Sequence, residues 1–295
     1  MTRARPSQSG TPVAASLDDA VLRDIARRIR GHIVRTLHRA GSGHFGGSLS
    51  VADLLAALYF RELNLDLEDP ERRERDRFIL SKGHTAPALY GTLAEKGFID
   101  QAELDTFDEI DSRLQLHPDM LALPYLDMST GSLGQGLSVG LGFALGARLQ
   151  ARAFRTYVIL GDGECQEGQV WETAMVAARY GADNLVAIVD TNRLQQYGWR
   201  DAGGDELVRS APVRDLADKW RAFGWAVIEV DGHDFGEITA AFGQARQTSG
   251  RPTAIIAATV KGRGVSFMEN DYRWHASAMT EELYKRAIAD LGGPA

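Results

Sequence analysis

Apolar residues recur at three- and four-residue steps over residues 18–39, near the start of the chain. Residues three and four positions apart share one face of a helix, so this spacing predicts an amphipathic helix whose other face carries arginines. The helix is expected to end in the glycine-rich run 41–47. Ser50 is then predicted to cap a second helix running from Val51 to Phe60, which leaves His44 in a loop between the two helices.

Continuous apolar runs without polar alternation predict a set of buried strands. Two such runs, 156–160 and 185–189, are separated by a helical pattern from Gln169 to Tyr180, which predicts a βαβ unit. Three further runs of this kind lie at 77–80, 225–230 and 254–258. Strands of this composition belong to parallel sheets that are covered on both faces. We therefore predict an α/β fold with a doubly wound, mainly parallel sheet flanked by helices.

Composition and charge exclude several classes of protein. A net charge of −7 argues against a nucleic-acid partner, which would require an excess of Lys and Arg. The single cysteine, Cys165, allows no internal disulfide and fits the cytoplasm. The apolar run 137–149 is shorter than the about 20 residues of a membrane span and is predicted to be a buried helix. Residues 1–16 are polar and are predicted to be a disordered tail, with one domain over residues 17–295.

Polar residues follow the two strands of the βαβ unit at the point where each strand ends. Gly161-Asp162-Gly163 follows the first strand, and Asn192 follows the second, thirty positions after Asp162. The carboxyl ends of neighbouring parallel strands lie together, and this is where open sheets bind ligands. Carboxylate and amide oxygens suit Mg²⁺, and flanking glycines allow backbone N–H groups to approach a diphosphate. Asp162 and Asn192 are therefore predicted to ligate one ion.

This spacing of Gly-Asp-Gly and Asn resembles the motif of thiamine diphosphate enzymes, and the neighbouring segments resemble transketolases in particular. The similar segments are LGDGECQEG at 160–168, SKGH at 81–84, TGSLGQG at 130–136, GSGH at 41–44 and KGRGV at 261–265. They follow one another in the order found in that family and extend the resemblance over roughly residues 17–290.

The resemblance implies a set of cofactor and metal contacts. The ion, Mg²⁺ or in its place Ca²⁺ or Mn²⁺, would be held by Asp162, Asn192 and the backbone carbonyl of Leu194. Thiamine diphosphate would contact residues that carry the family's motifs, namely His84, Gly131, Ser132, Leu133, Gly163, Asn192 and His275. Two positions depart from the family pattern, because Gln196 replaces an apolar residue and Ser132 replaces a frequent proline.

Three loop histidines at positions that match the family are predicted to be catalytic. By resemblance, His44, His117 and His275 would contact the hydroxyls of the donor sugar and relay protons, a role that suits the ordinary pKa of imidazole. The remaining histidines, at positions 32, 38 and 233, lie outside the matched segments and are predicted to be structural.

Two glutamates follow the metal loop, Glu167 and Glu172. Negative charge at the beginning of a helix is favourable in itself. The resemblance implies a second role, because in transketolases these glutamates meet their symmetry mates across a subunit interface. We therefore predict that this face is an oligomer contact.

The resemblance also implies a partner chain. In transketolases the glutamate that activates the cofactor lies in a pyrimidine-binding domain that follows the matched segments. We expect a C-terminal transketolase subunit to supply that domain, in an α₂β₂ assembly that transfers a two-carbon ketol unit between sugar phosphates. Two alternatives remain open at this point, namely the α subunit of a 2-oxo acid dehydrogenase and a non-catalytic cofactor-binding scaffold.

Overall fold

The structure is a computed structural model that describes residues 17–69, 72–196, 199–200, 207–208 and 215–293. The predicted tail, residues 1–16, lies outside the described residues. Within the described part of the chain, no helix is long and apolar enough to cross a membrane.

A five-stranded parallel sheet forms the centre of the fold. Its strands are β1 (Arg77–Leu80), β2 (Thr156–Gly161), β3 (Leu185–Thr191), β6 (Ala226–Asp231) and β7 (Thr253–Ala258), in the order β1-β2-β3-β7-β6. All four neighbouring pairs are parallel. Two short strands, β4 (Trp199–Arg200) and β5 (Leu207–Val208), pair antiparallel beside it. The predicted parallel sheet is confirmed.

Helices cover both faces of this sheet. They are α1 (Asp19–Arg39), α2 (Phe45–Ala57), α3 (Ala86–Lys96), α4 (Gln135–Leu149), α5 (Gly168–Arg179), α6 (Leu216–Ala222), α7 (Phe235–Gln247) and α8 (Glu281–Asp290). The predicted first helix is confirmed, and the side chain of Asp18 caps it by accepting a hydrogen bond from the N–H of Val21. A cap of this kind stabilises a helix by about 1 kcal/mol.

Alternate residues of each central strand pack into two separate cores. In β2, Tyr157 and Ile159 point into the core formed with α1, α2, α3 and α7, whereas Val158 and Leu160 point into the core formed with α4, α5 and α6. Successive side chains of a strand face opposite sides, so strands buried on both faces must be apolar throughout. This explains the uninterrupted apolar runs and gives a three-layer arrangement with the sheet in the middle.

The predicted start of the second helix is wrong. Helix α2 begins at Phe45, directly after His44, and Ser50 lies inside it. Two glycines in the first turn misled the prediction, and they are needed there for close packing. A Cβ atom at Gly46 would lie 2.8 Å from Cγ of Lys261. The Ser50 hydroxyl does not cap the helix, because it donates to Oδ2 of Asp190 over 2.6 Å.

Helix α4 is buried on one face only, so the prediction of a buried helix at 137–149 was right in part. Leu137, Leu141 and Ala144 are buried against the sheet. On the outer face, Gly142 is exposed, and Leu149 at the end of the helix is 89% exposed. The described chain therefore presents a partly apolar helical surface to solvent.

Candidate functional site

The carboxyl ends of four strands surround a cavity of about 700 Å³. Residues within three positions of the ends of β1, β2, β3 and β7 contribute to its lining, as expected for a ligand site of an open parallel sheet. Ten residues predicted from the sequence line this cavity, namely His44, His84, His117, Gly131, Leu133, Asp162, Gly163, Asn192, Leu194 and His275. The fold thus brings together segments that are up to 231 positions apart in the chain.

Three predicted residues lie outside the lining of the cavity. Ser132 is exposed between Gly131 and Leu133, which do line it. Glu167 and Glu172 are exposed at the beginning of α5, on the outer surface of the described chain. These two glutamates do not line the cavity, and their predicted role in an oligomer contact stays a prediction.

Hydrogen bonds to the backbone and the side chain of Asp162 join the loop after β2 to β3 and to the loop that follows β3. Gly161 pairs with Asp190 in the parallel register, and the N–H of Arg193 donates to Oδ2 of Asp162 over 2.5 Å. Arg193 has a φ of 62°, and this left-handed residue turns the second loop back towards the first. The Asn192 Oδ1 atom accepts from the N–H of Leu194 over 3.1 Å. The three predicted metal ligands therefore lie in two loops that are bonded to each other.

The buried carboxylate of Asp162 fits a cation. Asp162 is 4% exposed, and its Oδ1 and Oδ2 atoms accept hydrogen bonds from the N–H groups of Gly163 and Arg193. Burial and, next, the negative charge of Asp190 raise the pKa of Asp162 to about 6. An added divalent cation would relieve both effects, since it favours the ionised carboxylate.

The donor set of these loops is made of oxygen atoms. A carboxylate, an amide and a backbone carbonyl, together with diphosphate oxygens and water, are the ligands that Mg²⁺ prefers. Within the described part of the chain, no three His, Cys, Asp or Glu side chains cluster as a metal site. Among the described residues, Asp162 supplies the carboxylate of this candidate metal centre.

Lys82 lines the cavity and forms an ion pair with Asp190. Lys82 is 2% exposed, and its ammonium donates to Oδ2 of Asp190 and, over 3.1 Å, to the carbonyl of Gly47. Asp190 is fully buried and also accepts from the hydroxyls of Ser50 and Thr259. Burial would raise the pKa of Asp190, but the charge of Lys82 and these donors hold it below its usual range. This ion pair ties α2, β3 and the loops after β1 and β7 together beneath the site.

Lys261 is a second buried ammonium with different partners. It is 2% exposed, and its Nζ atom lies 2.8 Å from the Leu194 carbonyl oxygen and 2.9 Å from Nδ1 of His275. Both partners are uncharged groups. Burial lowers the pKa of Lys261 to about 8, against the opposing influence of Asp162. An anion entering the cavity would therefore meet a positive charge to which no carboxylate of the described residues is hydrogen-bonded.

Three histidine rings meet in one cluster. The ring centroids of His44 and His84 are 5.1 Å apart, those of His44 and His275 are 5.5 Å apart, and those of His84 and His275 are 5.4 Å apart. His117 joins the cavity wall from the loop before α4 and packs against Gly131. Of the three histidines predicted to be catalytic, His44 and His275 lie in this cluster and His117 lines the same cavity.

Burial keeps the imidazoles of His44, His84 and His275 neutral at physiological pH. It is the main cause that lowers the pKa of His84 well below its usual value, with the charge of Lys82 next. Burial and then the charge of Lys261 lower the pKa of His275 to about 3. The pKa of His44 is lowered by burial and then by His117. A neutral imidazole has one donor and one acceptor, so each ring can both give and receive a hydrogen bond.

Gly83 allows the two loops that carry His84 and Gly131 to touch. A Cβ atom at this position would lie 2.6 Å from the hydroxyl oxygen of Thr130 and 2.8 Å from the backbone nitrogen of Gly131. Contacts this short do not occur between real atoms, so a larger residue would push the loops apart. Glu164 links the loop before α4 to the end of β2, because its carboxylate accepts hydrogen bonds from the N–H groups of Gly134 and Gly161 over 2.8 and 3.0 Å.

Sequence reasoning missed Lys82, Lys261 and Asp190 as members of this site. Both lysines stand inside segments that had been singled out, SKGH and KGRGV, and Asp190 stands two residues before Asn192. Lysines are almost never fully buried without a partner, and their burial is not visible in a sequence. The sequence feature that could have identified Lys82, Asp190 and Lys261 is that each lies within three residues of the end of a predicted strand.

The other histidines have structural partners, as predicted. His32 lies 2.7 Å from Glu95, His38 lies 3.0 Å from Glu281, and the Nδ1 atom of His233 lies 2.6 Å from Asp53. Cys165 is a free, fully buried thiol, and burial raises its pKa well above the usual value. A buried thiol of raised pKa is a poor nucleophile.

The family is decided by comparison with known proteins. The family model described as "Transketolase, thiamine diphosphate binding domain" matches residues 21–293. The chain belongs to the transketolase family. The predicted fold class and the family predicted from the sequence are both confirmed.

Two relatives of this transketolase-family chain are themselves subunits. It is 43% identical to the 6-deoxy-6-sulfo-D-fructose transketolase subunit SqwG of a Clostridium species over 266 residues, which cover 90% of this chain and 94% of that protein. It is 41% identical to one of the subunits of the apulose-4-phosphate transketolase of Phocaeicola vulgatus over 262 residues, which cover 89% of this chain and 90% of that protein.

A solved transketolase shares the fold but is much longer. The crystal structure of the transketolase from Campylobacter jejuni superimposes with a TM-score of 0.84 at 28% identity. The superposition covers 94% of this chain and 43% of that one. The transketolase-family chain therefore spans less than half of that solved enzyme but nearly the whole of the two related subunits.

Proposed function

We propose that this chain is the N-terminal, diphosphate-binding subunit of a two-subunit transketolase. The enzyme would transfer a two-carbon ketol unit from a ketose or its phosphate to an aldose or its phosphate. The observation that carries the proposal is the cavity in which the Asp162 and Asn192 loops are bonded to each other beside a cluster of neutral histidines. The match to a thiamine diphosphate binding domain supports it.

In this proposal the metal and the diphosphate lie at the carboxyl ends of β2 and β3. Asp162, Asn192 and the Leu194 carbonyl would hold Mg²⁺, or Ca²⁺ or Mn²⁺ in its place. The raised pKa of Asp162 supports a cation at this position, and the ammonium of Lys261 supports an anion beside it. The N–H of Gly163 would contact the diphosphate, with His84, Asn192 and His275 around the cofactor and the Gly131-Ser132-Leu133 backbone along its rings.

Thiamine diphosphate, when bound, supplies a ring that accepts the electrons released as the ketol unit is cut from the donor sugar. The chain's own part is to orient the sugar and handle its protons. His44 and His117 line the cavity, and a neutral imidazole accepts a proton from a hydroxyl near neutral pH. His275 lies beside them and would hydrogen-bond an oxygen of the sugar or the cofactor.

The proposed partner is a C-terminal transketolase subunit that carries the pyrimidine-binding domain. Support comes from the two related subunits, which this chain matches over nearly their whole length. An α₂β₂ assembly would cover the outer face of α4 and α5, where apolar side chains are exposed beside Glu167 and Glu172. The exposed side chains are Leu149, Met175, Val176 and Tyr180. We place the assembly in the cytoplasm and treat the chain from residue 17 onward as one domain.

The reaction class is tested by assaying the assembled enzyme. The chain would be co-purified with its C-terminal partner and supplied with thiamine diphosphate, Mg²⁺, a ketose phosphate and an aldose phosphate. We expect a new ketose phosphate two carbons longer than the acceptor. Decarboxylation of 2-oxo acids without ketol transfer would contradict the proposal and favour an oxo acid dehydrogenase subunit. An Asp162→Ala assembly with full activity would favour a scaffold.

A further inference from the structure

One contact in the site selects between the two neutral forms of a histidine. The Nζ atom of Lys261 lies 2.9 Å from Nδ1 of His275, within hydrogen-bond distance. The same ammonium donates to the carbonyl oxygen of Leu194 over 2.8 Å. Lys261 is 2% exposed, so its position is fixed by packing as well as by these bonds.

The chemistry of the two groups determines which atom donates. An ammonium has three donors and no acceptor, so Nδ1 of His275 must be the acceptor. In a neutral imidazole the nitrogen that accepts carries no proton, and the proton sits on the other nitrogen. We propose that Lys261 is a positioning residue that holds His275 as the Nε2–H tautomer.

The surroundings of His275 agree with a single neutral form. Burial and the charge of Lys261 lower the pKa of His275 to about 3, so the doubly protonated ring is disfavoured at neutral pH. The other ammonium nearby, on Lys82, is directed elsewhere, to Asp190 and the Gly47 carbonyl. Among the described residues, Lys261 is therefore the cation that is hydrogen-bonded to this ring.

The proposal changes the role predicted for His275. A ring whose Nδ1 is held by an ammonium presents a donor at Nε2, which suits an oxygen acceptor of the sugar or of the diphosphate. Accepting a proton at Nε2 would require the ring to give up the proton already there. Proton acceptance then falls to His44 and His117. This consequence depends on the proposed function, whereas the tautomer itself does not.

The tautomer is measured by NMR on the full chain with ¹⁵N-labelled histidine. Long-range ¹H–¹⁵N correlations at pH 7 distinguish a protonated Nε2 from a protonated Nδ1, and the signals of His275 are assigned from their loss in His275→Gln. We expect the Nε2–H pattern in the wild-type chain and in Lys261→Arg, which keeps a donor. In Lys261→Met we expect at least one tenth of the ring population in the Nδ1–H form. His117→Gln, which removes another cavity histidine, is expected to leave the pattern unchanged.

The wild-type spectrum is decisive alone, because an Nδ1–H pattern for His275 would overturn the proposal. An unchanged pure Nε2–H pattern in Lys261→Met would also overturn it. Lys261→Met removes a buried charge that has no carboxylate hydrogen-bonded to it, so the chain is expected to keep its fold, which far-UV circular dichroism checks. A chain with the expected tautomer but no ketol transfer after assembly would contradict the proposed function and leave this inference standing.

Discussion

The backbone N–H of Arg193 donates a hydrogen bond to Oδ2 of Asp162 over 2.5 Å, and this bond fastens the loop after β3 to the loop after β2. Asp162 and Asn192 are thirty positions apart in the chain, and this contact places them in one pair of adjoining loops. A cation bound to Asp162 is thereby brought to the loop that carries Asn192 and the Leu194 carbonyl.

Replacing Asp162 should abolish tight binding of metal and cofactor. Asp162→Asn keeps the shape of the side chain but removes the only carboxylate of the proposed ligand set. Loss of an outer-shell partner weakens metal affinity by about 10- to 100-fold, so loss of this ligand should exceed ~100-fold. Calorimetric titration of the assembled enzyme with thiamine diphosphate and Mg²⁺ measures the change in affinity.

Asp218→Asn, on the exposed surface of α6, is the control and should bind metal and cofactor like the wild-type enzyme. Equal affinities for the Asp162→Asn and wild-type enzymes would refute the assignment.

Gly83→Ala should weaken cofactor binding without unfolding the chain. Its Cβ atom would lie 2.6 Å from the Thr130 hydroxyl and 2.8 Å from the nitrogen of Gly131, so the two loops must separate. We expect the dissociation constant for thiamine diphosphate to rise about tenfold, equivalent to ~1.4 kcal/mol.

Gly243→Ala is the matched control for this substitution. Gly243 lies in helix α7, and the nearest atom to its Cβ position is 3.8 Å away, on Arg246. Alanine should therefore stabilise the helix by about 0.5 to 1 kcal/mol and leave cofactor binding unchanged. If both variants bind the cofactor like the wild type, the close contact at Gly83 has no role in shaping the site.

The histidine cluster should make folding stability depend on pH in a defined direction. The pKa of His275 is about 3 in the folded chain and about 6.5 in the unfolded chain. Between these pH values the unfolded chain binds more protons than the folded chain. The stability that the neutral His275 ring contributes is therefore fully present above about pH 6.5 and is lost as the pH falls. For one titrating group, the free energy of unfolding changes by at most about 1.4 kcal/mol per pH unit.

Urea unfolding at several pH values between about pH 7 and pH 5 tests this expectation. The His275→Gln variant should lose less stability over this range than the wild-type chain, because glutamine does not titrate. His38→Gln serves as the comparison, since His38 is partly exposed near the end of α1, is not among the residues that line the cavity, and contacts Glu281. Parallel stability curves for the wild type and His275→Gln would show that burial does not keep this imidazole neutral.

A charge placed on the outer face of α5 should impair assembly. Met175 is 52% exposed there, and Met175→Asp should leave the isolated chain folded while lowering its association with other subunits at least tenfold. An apolar interface tolerates an unpaired charge poorly. Leu67→Asp is the control, because Leu67 has a similar exposure of 50% but lies in the loop before β1. Native mass spectrometry gives the assembly state, and equal assembly of the two variants would exclude this face as the interface.

The sequence predicted those features that depend on local patterns. Apolar residues at three- and four-residue steps identified α1, and uninterrupted apolar runs identified the central strands. The adjacency of Asp162 and Asn192 followed from one rule, that parallel strands of a βαβ unit end at the same edge. The cavity at these strand ends is where the sequence placed it.

Features that depend on tertiary contacts were not predictable in this way. Helix α2 begins six residues earlier than Val51, because its first turn is closely packed, with Gly46 against Lys261 and Gly47 against Thr85. The burial of Lys82 and Lys261 is set by partners far away in the chain, which no local pattern reveals. The exposed face of α4 shares the apolar composition of the buried face, so composition alone could not separate them.

Reconstitution from separately purified subunits tests the central claim most directly. A fixed amount of this chain would be titrated with the C-terminal subunit in the presence of thiamine diphosphate and Mg²⁺, and ketol transfer would be measured at each point. We predict no activity for the chain alone and a rise that saturates at one partner per chain. Full ketol transfer by the isolated chain, or none at any ratio, would contradict the account.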